Sequence, residues 1–392
     1  VHPQRPPIWT RDFTLLWMAN FLMATSFYFL LPTVPGFSVS VLGANKSQVG
    51  YLISVYTVSA LLIRPAAGYL LDVKGRKITY IGGLIAYALL IFSYPAATSF
   101  LFLLAIRFVH GLGWGTLTTG GSTVAADLLP GQRRGEGLGY YGLTMTLAMA
   151  FGPLLAVQLA AGGQYNRLFL IAGTIAALAM CIGLVVRYPQ VAPSRGKFTW
   201  RSVLHPRVLP VAAISLFTMA SYGGIVSFLT LFTEERGLNT GVFFLIYAAA
   251  MSLSRPFAGR VLDRRGPTLV LGGGIALLVL GYATLGFSQS LPLFALAAVL
   301  LGVGNGNVLP TVQGMAINLV GSKERGVATS TLFSATDLGI GLGSTILGWI
   351  ADASSLSTMY VFSGLLLLIP LTFFFAYVNR YYASHKEREV HK

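Results

Sequence analysis

Three ionisable side chains stand out deep inside apolar stretches of lipid-crossing length: Arg107 and His110 within 101–126, and Asp337 within 326–350. At about 1.5 Å of rise per residue, Arg107 lies about 10 Å below the outer surface and Asp337 about 16 Å from the inner one. His110 follows Arg107 by three residues, on the same helix face and deeper. Ionisable groups at such depth are costly and mark candidate paths for ions or substrates. A carboxyl such as Asp337 can switch protonation when its partners change, as a proton carrier must. The alternative is a fixed helix–helix hydrogen bond or ion pair. His110 titrates in a useful range, or is a buried ring bonded to a backbone carbonyl. Arg107 presents a planar fork suited to an anion, or holds a fixed structural partner.

The elements that must hold these groups follow from composition. The chain has 392 residues, 55% hydrophobic and 10% charged, with a mean hydropathy of +0.71. An ordinary soluble chain carries roughly 25% charged residues. Apolar blocks of 20 or more residues recur about twelve times, each able to cross a hydrocarbon core of ~30 Å. A soluble enzyme, a secreted disulfide scaffold and a disordered chain are excluded. A β-barrel would instead alternate apolar and polar residues over strands of ~10 residues. The single Cys181 cannot make an intrachain disulfide.

Hydropathy and turn signals predict spans at 12–34, 48–71, 78–97, 101–126, 137–161, 168–188, 209–233, 241–263, 268–288, 291–316, 326–350 and 358–382. With the N-terminus inside, 21 of the 27 Lys and Arg fall on cytoplasmic segments. Lys46, Arg167 and Arg236 alone lie on outer loops, and Arg64, Arg107 and Arg255 within spans. Both termini are therefore expected to be cytoplasmic, in a cell membrane. Arg5 and Arg11 read as a flank of the first span rather than part of a cleavable leader. The net charge of +15 is thus mainly a topology signal, and no nucleic-acid partner is expected. The polar stretch 189–208, with Pro189, Pro193 and Pro206, reads as a cytoplasmic linker. It joins an N-terminal six-helix bundle, 1–188, to a C-terminal one with a short cytoplasmic tail, 209–392.

The two halves repeat. RPAAGYLLDVKG at 64–75 and RPFAGRVLDRRG at 255–266 agree at seven of twelve positions with an offset of 191. The same offset pairs Gly111, Gly113 and Gly115 with Gly302, Gly304 and Gly306, and Arg134-Gly135 with Arg325-Gly326. Each half has an even number of spans, so the copies run in the same direction, related by an axis along the membrane normal. Arg107 and Asp337 have no charged mate, since Ala298 and Thr146 stand there. Arg64 and Arg255 either snorkel to the inner surface or pair with acids at the inner gate.

Gly68-Tyr-Leu-Leu-Asp72-Val-Lys-Gly75-Arg76-Lys77 resembles motif A of the major facilitator superfamily, with a degenerate copy at 259–266 in which Pro267 replaces the second Arg. Leu104-Ala-Ile-Arg107-Phe-Val-His110-Gly111 resembles motif B. The stretch from Gly142 to Gly152-Pro153 resembles motif C, a hinge that the family associates with antiporters, though Leu154–Val157 adds no glycine. The resemblance implies an all-α polytopic membrane protein with 12 transmembrane helices in two pseudo-symmetric six-helix bundles. It further implies that Asp72 caps the eleventh helix near Arg325–Ala328, and that Arg76 bridges to acids ending helix four and starting helix five, Asp127 and Glu136. Asp263 is the corresponding acid of the second copy. Such contacts hold the cytoplasmic side shut and break on inward opening.

Gly111 to Gly121 lack the Lys-Ser/Thr of a nucleotide loop and read as close helix packing. Asn20, Trp114, Tyr141, Tyr222, Asn305, Asn307 and Gln313 either line a cavity between the halves or pack. No metal-ligand spacing, nucleophile–base pair or ATP-binding loop is found, so neither enzyme chemistry nor a cofactor or metal is expected. The expected function is proton-coupled export of a small amphipathic drug or secondary metabolite by alternating access. The expected partners are the substrate, protons and the lipid bilayer, with the chain a monomer. Transport of an anionic or metal-chelating compound is the alternative. A non-transporting receptor or lipid-handling protein on the same scaffold is the runner-up from another class.

Overall fold

The computed structural model describes residues 6–44, 46–159, 164–190 and 204–386. Most of the expected linker, residues 191–203, lies outside the described residues, as do Arg5, the last six residues and the Pro153 side chain. Twelve long helices run through the described chain. The first six are α1 (Arg11–Ser40), α2 (Lys46–Val73), α3 (Arg76–Ser93), α4 (Phe100–Leu128), α5 (Arg134–Leu159) and α6 (Tyr165–Val185). The second six are α7 (Leu209–Glu234), α8 (Thr240–Arg265), α9 (Pro267–Phe287), α10 (Leu291–Asn318) and α11 (Arg325–Ala353), closed by α12 (Leu356–His385). A π-helical stretch, Phe374–Val378, interrupts α12.

Local chemistry sets the ends. Thr10, Ser99, Asn239 and Ser355 accept N–H bonds from the first turns of α1, α4, α8 and α12, which satisfies donors that a helix start leaves open. Gly75 and Gly266 separate α2 from α3 and α8 from α9 at φ 99° and 78°, a backbone region that a side chain disfavours. Helix α1 continues past the expected end at 34, through Pro35 and Gly36, because Val34 and Phe37 are buried there.

Among the described residues, ten helices are long and apolar enough to cross a membrane by length and composition. Helix α11 starts with a charged first turn and is rich in Gly, Ser and Thr, and part of α5 lies outside the described side chains. These helices form a multi-pass membrane protein. Leu62, Leu101, Leu253 and Phe287 are exposed, which suits lipid and not water. Arg64, Arg107, His110 and Arg255 are buried instead.

Helix pairing repeats as the sequence does. In the first half α2 packs on α4, and α3 on α4 and α6; in the second, α8 packs on α10, and α9 on α10 and α12. The α1–α6 pair corresponds to α7–α12. By contacts the chain forms two units: Val1–Leu129, Thr144–Val203 and Ser322–Ser330, and Pro130–Leu143, Leu204–Gly321 and Thr331–Lys392. The first turns of α11 thus belong to unit 1, and those of α5 to unit 2.

Candidate functional site

In unit 1 the Asp72 carboxylate closes α2 and sits at the start of α11. Its two oxygens accept the backbone N–H groups of Gly326 and Val327, each at 2.9 Å. A helix start carries unpaired N–H groups and a partial positive charge, so an anion is favoured there. Arg76 donates to Asp72 at 2.6 Å, to Asp127 at 2.8 Å, and to the carbonyls of Leu71 and Ser322. Arg325 reaches the other Asp127 oxygen at 2.6 Å. Buried ions hold together only when their lone pairs and protons are met, and here the two carboxylates and Arg76 share one network. Lys77 is exposed beside it.

Unit 2 repeats the cap with different charges. Asp263 accepts the N–H groups of Gly135 and Glu136 at the start of α5, each at 2.9 Å. The position matching Arg76 is Pro267, the first residue of α9, where proline fits a helix start. The position matching Asp127 is Asn318, and Arg134, the mate of Arg325, donates to its oxygen at 2.8 Å. Within unit 2, α5 opens beside α8, and Arg260 and Arg133 hold Glu136 at 2.8 and 3.0 Å. Burial pushes the Glu136 carboxyl pKa up, yet the bonds from Arg133 and Arg260 outweigh it and keep it below the ordinary carboxylate value. The contact therefore holds at neutral pH and loosens only as pH falls below that range.

Gly68 and Gly259 let these helices touch. A Cβ on Gly68 would stand 2.8 Å from the Gly326 carbonyl oxygen, and one on Gly259 would meet the Gly135 backbone. Overfilling such a contact costs about 1–3 kcal/mol. Gly68→Ala is expected to lower transport about tenfold or more while the protein still inserts, read as initial uptake rate per inserted molecule. Gly82→Ala, with nothing within 4 Å of its added carbon, is the neutral control. Equal rates in the two variants would remove the close-approach role from Gly68.

The deep basic pair of α4 lies in an aromatic nest within unit 1. Arg107 donates to the Leu52 carbonyl at 3.3 Å and to the Tyr94 hydroxyl at 3.4 Å, and its guanidinium stands 4.1 Å over the Tyr56 ring. Tyr94 also bonds His110 Nδ1 at 2.8 Å. His110 is fully buried and bonds a phenol rather than a backbone carbonyl. Trp114 stacks on Phe27 at 4.0 Å.

Asp337 lies in unit 2, half-buried and mid-way along α11. Among the candidate cavity residues, Asn20 is buried and donates to Thr144 on α5 at 2.5 Å. Tyr141 is buried, and Tyr222 stacks on Tyr247 at 6.4 Å. Asn305 is buried with both amide atoms unmet among the described residues, while Asn307 packs toward Gly274 of α9. Gln313 is half-buried on α10. In the motif C stretch a Cβ on Gly152 would stand 2.6 Å from Tyr28 Cβ. Arg64 and Arg255 do not snorkel. Arg64 donates to Thr118 and Thr119, and Arg255 to the Gly142 carbonyl.

Sequence reasoning missed Tyr94, Arg260, Asn318 and the acid-binding role of Arg325. The offset of 191 pairs Asp127 with Asn318 and could have found that contact. Tyr94 carries no such signal, since it lies in the short turn Tyr94–Ala96 after α3.

With this geometry in place, likeness to known proteins is informative. The profile of the Major Facilitator Superfamily matches residues 16–267 and 239–392. The Staphylopine export protein of Staphylococcus aureus is 23% identical over 349 residues, which cover 84% of this chain and 86% of that one. The Multidrug resistance protein MdtG of Enterobacter lignolyticus is 24% identical over 392 residues, covering 94% and 91%. In fold, the human organic anion transporter MFSD10 (TETRAN) matches with a TM-score of 0.82 at 19% identity, covering 94% of this chain and 100% of that one.

Proposed function

The chain belongs to the major facilitator superfamily, and from that premise we propose that this transporter exports a small amphipathic drug or secondary metabolite in exchange for protons. The observation that carries the reading is the pair of carboxylate caps, Asp72 on α11 and Asp263 on α5. A cap contributes about 0.5–2 kcal/mol, which substrate or proton binding can outweigh. Alternating access needs contacts of that size on its closed side. A receptor that never cycles has no use for them. Relatives named for export and for multidrug resistance support the outward direction.

We assign the proton to Asp337. The protein acts as a monomer in the cell membrane with both termini cytoplasmic. The test is a panel of amphipathic compounds in proteoliposomes with and without an imposed pH gradient. At least one compound is expected to accumulate only with the gradient. Flux that ignores the gradient for every transported compound would overturn the coupling.

Arg107 favours a second reading, an anionic or metal-chelating substrate. Its partners among the described residues are a carbonyl, a phenol and a ring, all neutral. Arg107→Ala is expected to reduce kcat/KM for an organic anion about tenfold or more, and Arg107→Lys to lose less because it keeps the charge without the planar fork. Equal losses for anionic and cationic compounds would make Arg107 structural.

A further inference from the structure

We propose that Tyr94 fixes His110 as a neutral imidazole with its proton on Nε2, and that this N–H docks an acceptor oxygen, carboxylate or carbonyl, of the transported compound. His110 is then a hydrogen-bond donor and not the proton carrier, and Tyr94 is its positioning residue. The proposal rests on reading the Arg107–His110 cluster as part of the substrate path.

Hydrogen-bond accounting carries the first half. A guanidinium only donates, so the Tyr94 oxygen accepts from Arg107 Nη1 at 3.4 Å. The phenol proton is then free for the other neighbour, His110 Nδ1 at 2.8 Å. A neutral ring whose Nδ1 accepts carries its proton on Nε2. A doubly protonated ring would make Tyr94 accept from both sides and leave its own proton unmatched. Among the described residues the Tyr94 hydroxyl has no hydrogen-bond partner besides these two.

The second half follows from what is left over. His110 Nε2 is buried and has no hydrogen-bond partner among the described residues, and neither do the Tyr56 and Tyr87 hydroxyls. Their rings stand 5.5 and 4.5 Å from the His110 ring. Buried polar atoms are nearly always paired, so three unmet ones in one nest call for a ligand or water. The titratable and charged groups around His110 are Arg107 on its own α4, Tyr56 on α2, Tyr87 on α3 and Tyr94 just after it. None is an acid. The cation one turn away makes an oxygen with negative charge the best fit, and water is the other source of an acceptor oxygen.

Nitrogen NMR on histidine-labelled protein in lipid vesicles tests both halves, with His110→Gln identifying the signal. At about pH 8, His110 in the unmodified chain is expected to carry its proton on Nε2 and leave Nδ1 bare. Tyr94→Phe loses only the hydroxyl and keeps the ring that stacks on Phe169 at 5.2 Å; in this variant the ring is expected to mix tautomers or take a second proton. Titrated benzoate is expected to move the Nε2 signal, about threefold more weakly in Tyr94→Phe, while benzylamine leaves it in place. A protonated Nδ1 in the unmodified chain, or a tautomer unchanged in Tyr94→Phe, overturns the lock. An Nε2 signal unmoved by benzoate, or moved by benzylamine alone, overturns the docking role and leaves water as the occupant. The tautomer readout involves no transport, so its failure leaves the export reading standing. The expected tautomer together with gradient-independent flux would overturn the export reading alone.

Discussion

Asp337→Asn is expected to abolish gradient-driven accumulation while sparing substrate binding and downhill exchange. Asn keeps the size and hydrogen-bonding capacity of the carboxyl but exchanges no proton. The position is mid-helix and half-buried on α11, a helix rich in Gly, Ser and Thr. Its repeat mate in α5 is Thr146, so the acid is not required by the shared scaffold. Loss of coupling removes the whole concentration ratio that a pH gradient sustains, about tenfold per pH unit for one proton per substrate. Counterflow in the same vesicles should continue within about threefold of the unmodified rate. A variant that still concentrates substrate would assign Asp337 to helix packing.

Asp72→Asn is expected to open the unit 1 cap. The carboxylate accepts one N–H on each oxygen and a guanidinium besides. Asn offers a single acceptor oxygen and turns its NH₂ toward the second N–H, donor against donor. Losing one charge-assisted bond and leaving a buried N–H unmet costs about 2–3 kcal/mol, a shift of roughly 30- to 150-fold in the closed-to-open ratio. Amide hydrogen exchange across 322–330 should accelerate by a comparable factor, with transport reduced and the fold retained. Asp263→Asn is expected to do less, since its own cap lacks a direct arginine pair and Pro267 and Asn318 stand where unit 1 has Arg76 and Asp127. Unchanged exchange at Gly326 and Val327 in Asp72→Asn would remove the cap from any gating role.

The legible part of this molecule is what repeats or what lipid dictates. Apolar runs located the helices, and the charged or Gly- and Thr-rich starts of α5 and α11 did not hide them, because hydropathy recovers a turn later. The resemblance to motif A implied the Asp72 cap, and the seven repeat matches made Asp263 the corresponding acid of the second copy. Glu136 was harder. Its partner Arg260 lies 124 residues away on α8, and only the packing of α5 against α8 brings the two together. For Arg64 and Arg255 the sequence left snorkelling and pairing with gate acids both open, and hydroxyls on α4 and a carbonyl on α5 accept their protons inside the protein. Tyr94 was illegible. Its role comes from a hydroxyl placed between two side chains of another helix, and no spacing rule encodes that.

The central claim, exchange of substrate for protons, has a sign that one measurement reads. Proteoliposomes are loaded with a pH-sensitive dye at equal pH inside and out, and the compound identified by the panel is added outside. Antiport drives protons outward as substrate enters, whichever way each molecule faces, so the lumen should turn alkaline, and Asp337→Asn should leave it unchanged. Acidification of the lumen, or substrate entry with no pH change in the unmodified protein, would contradict proton antiport.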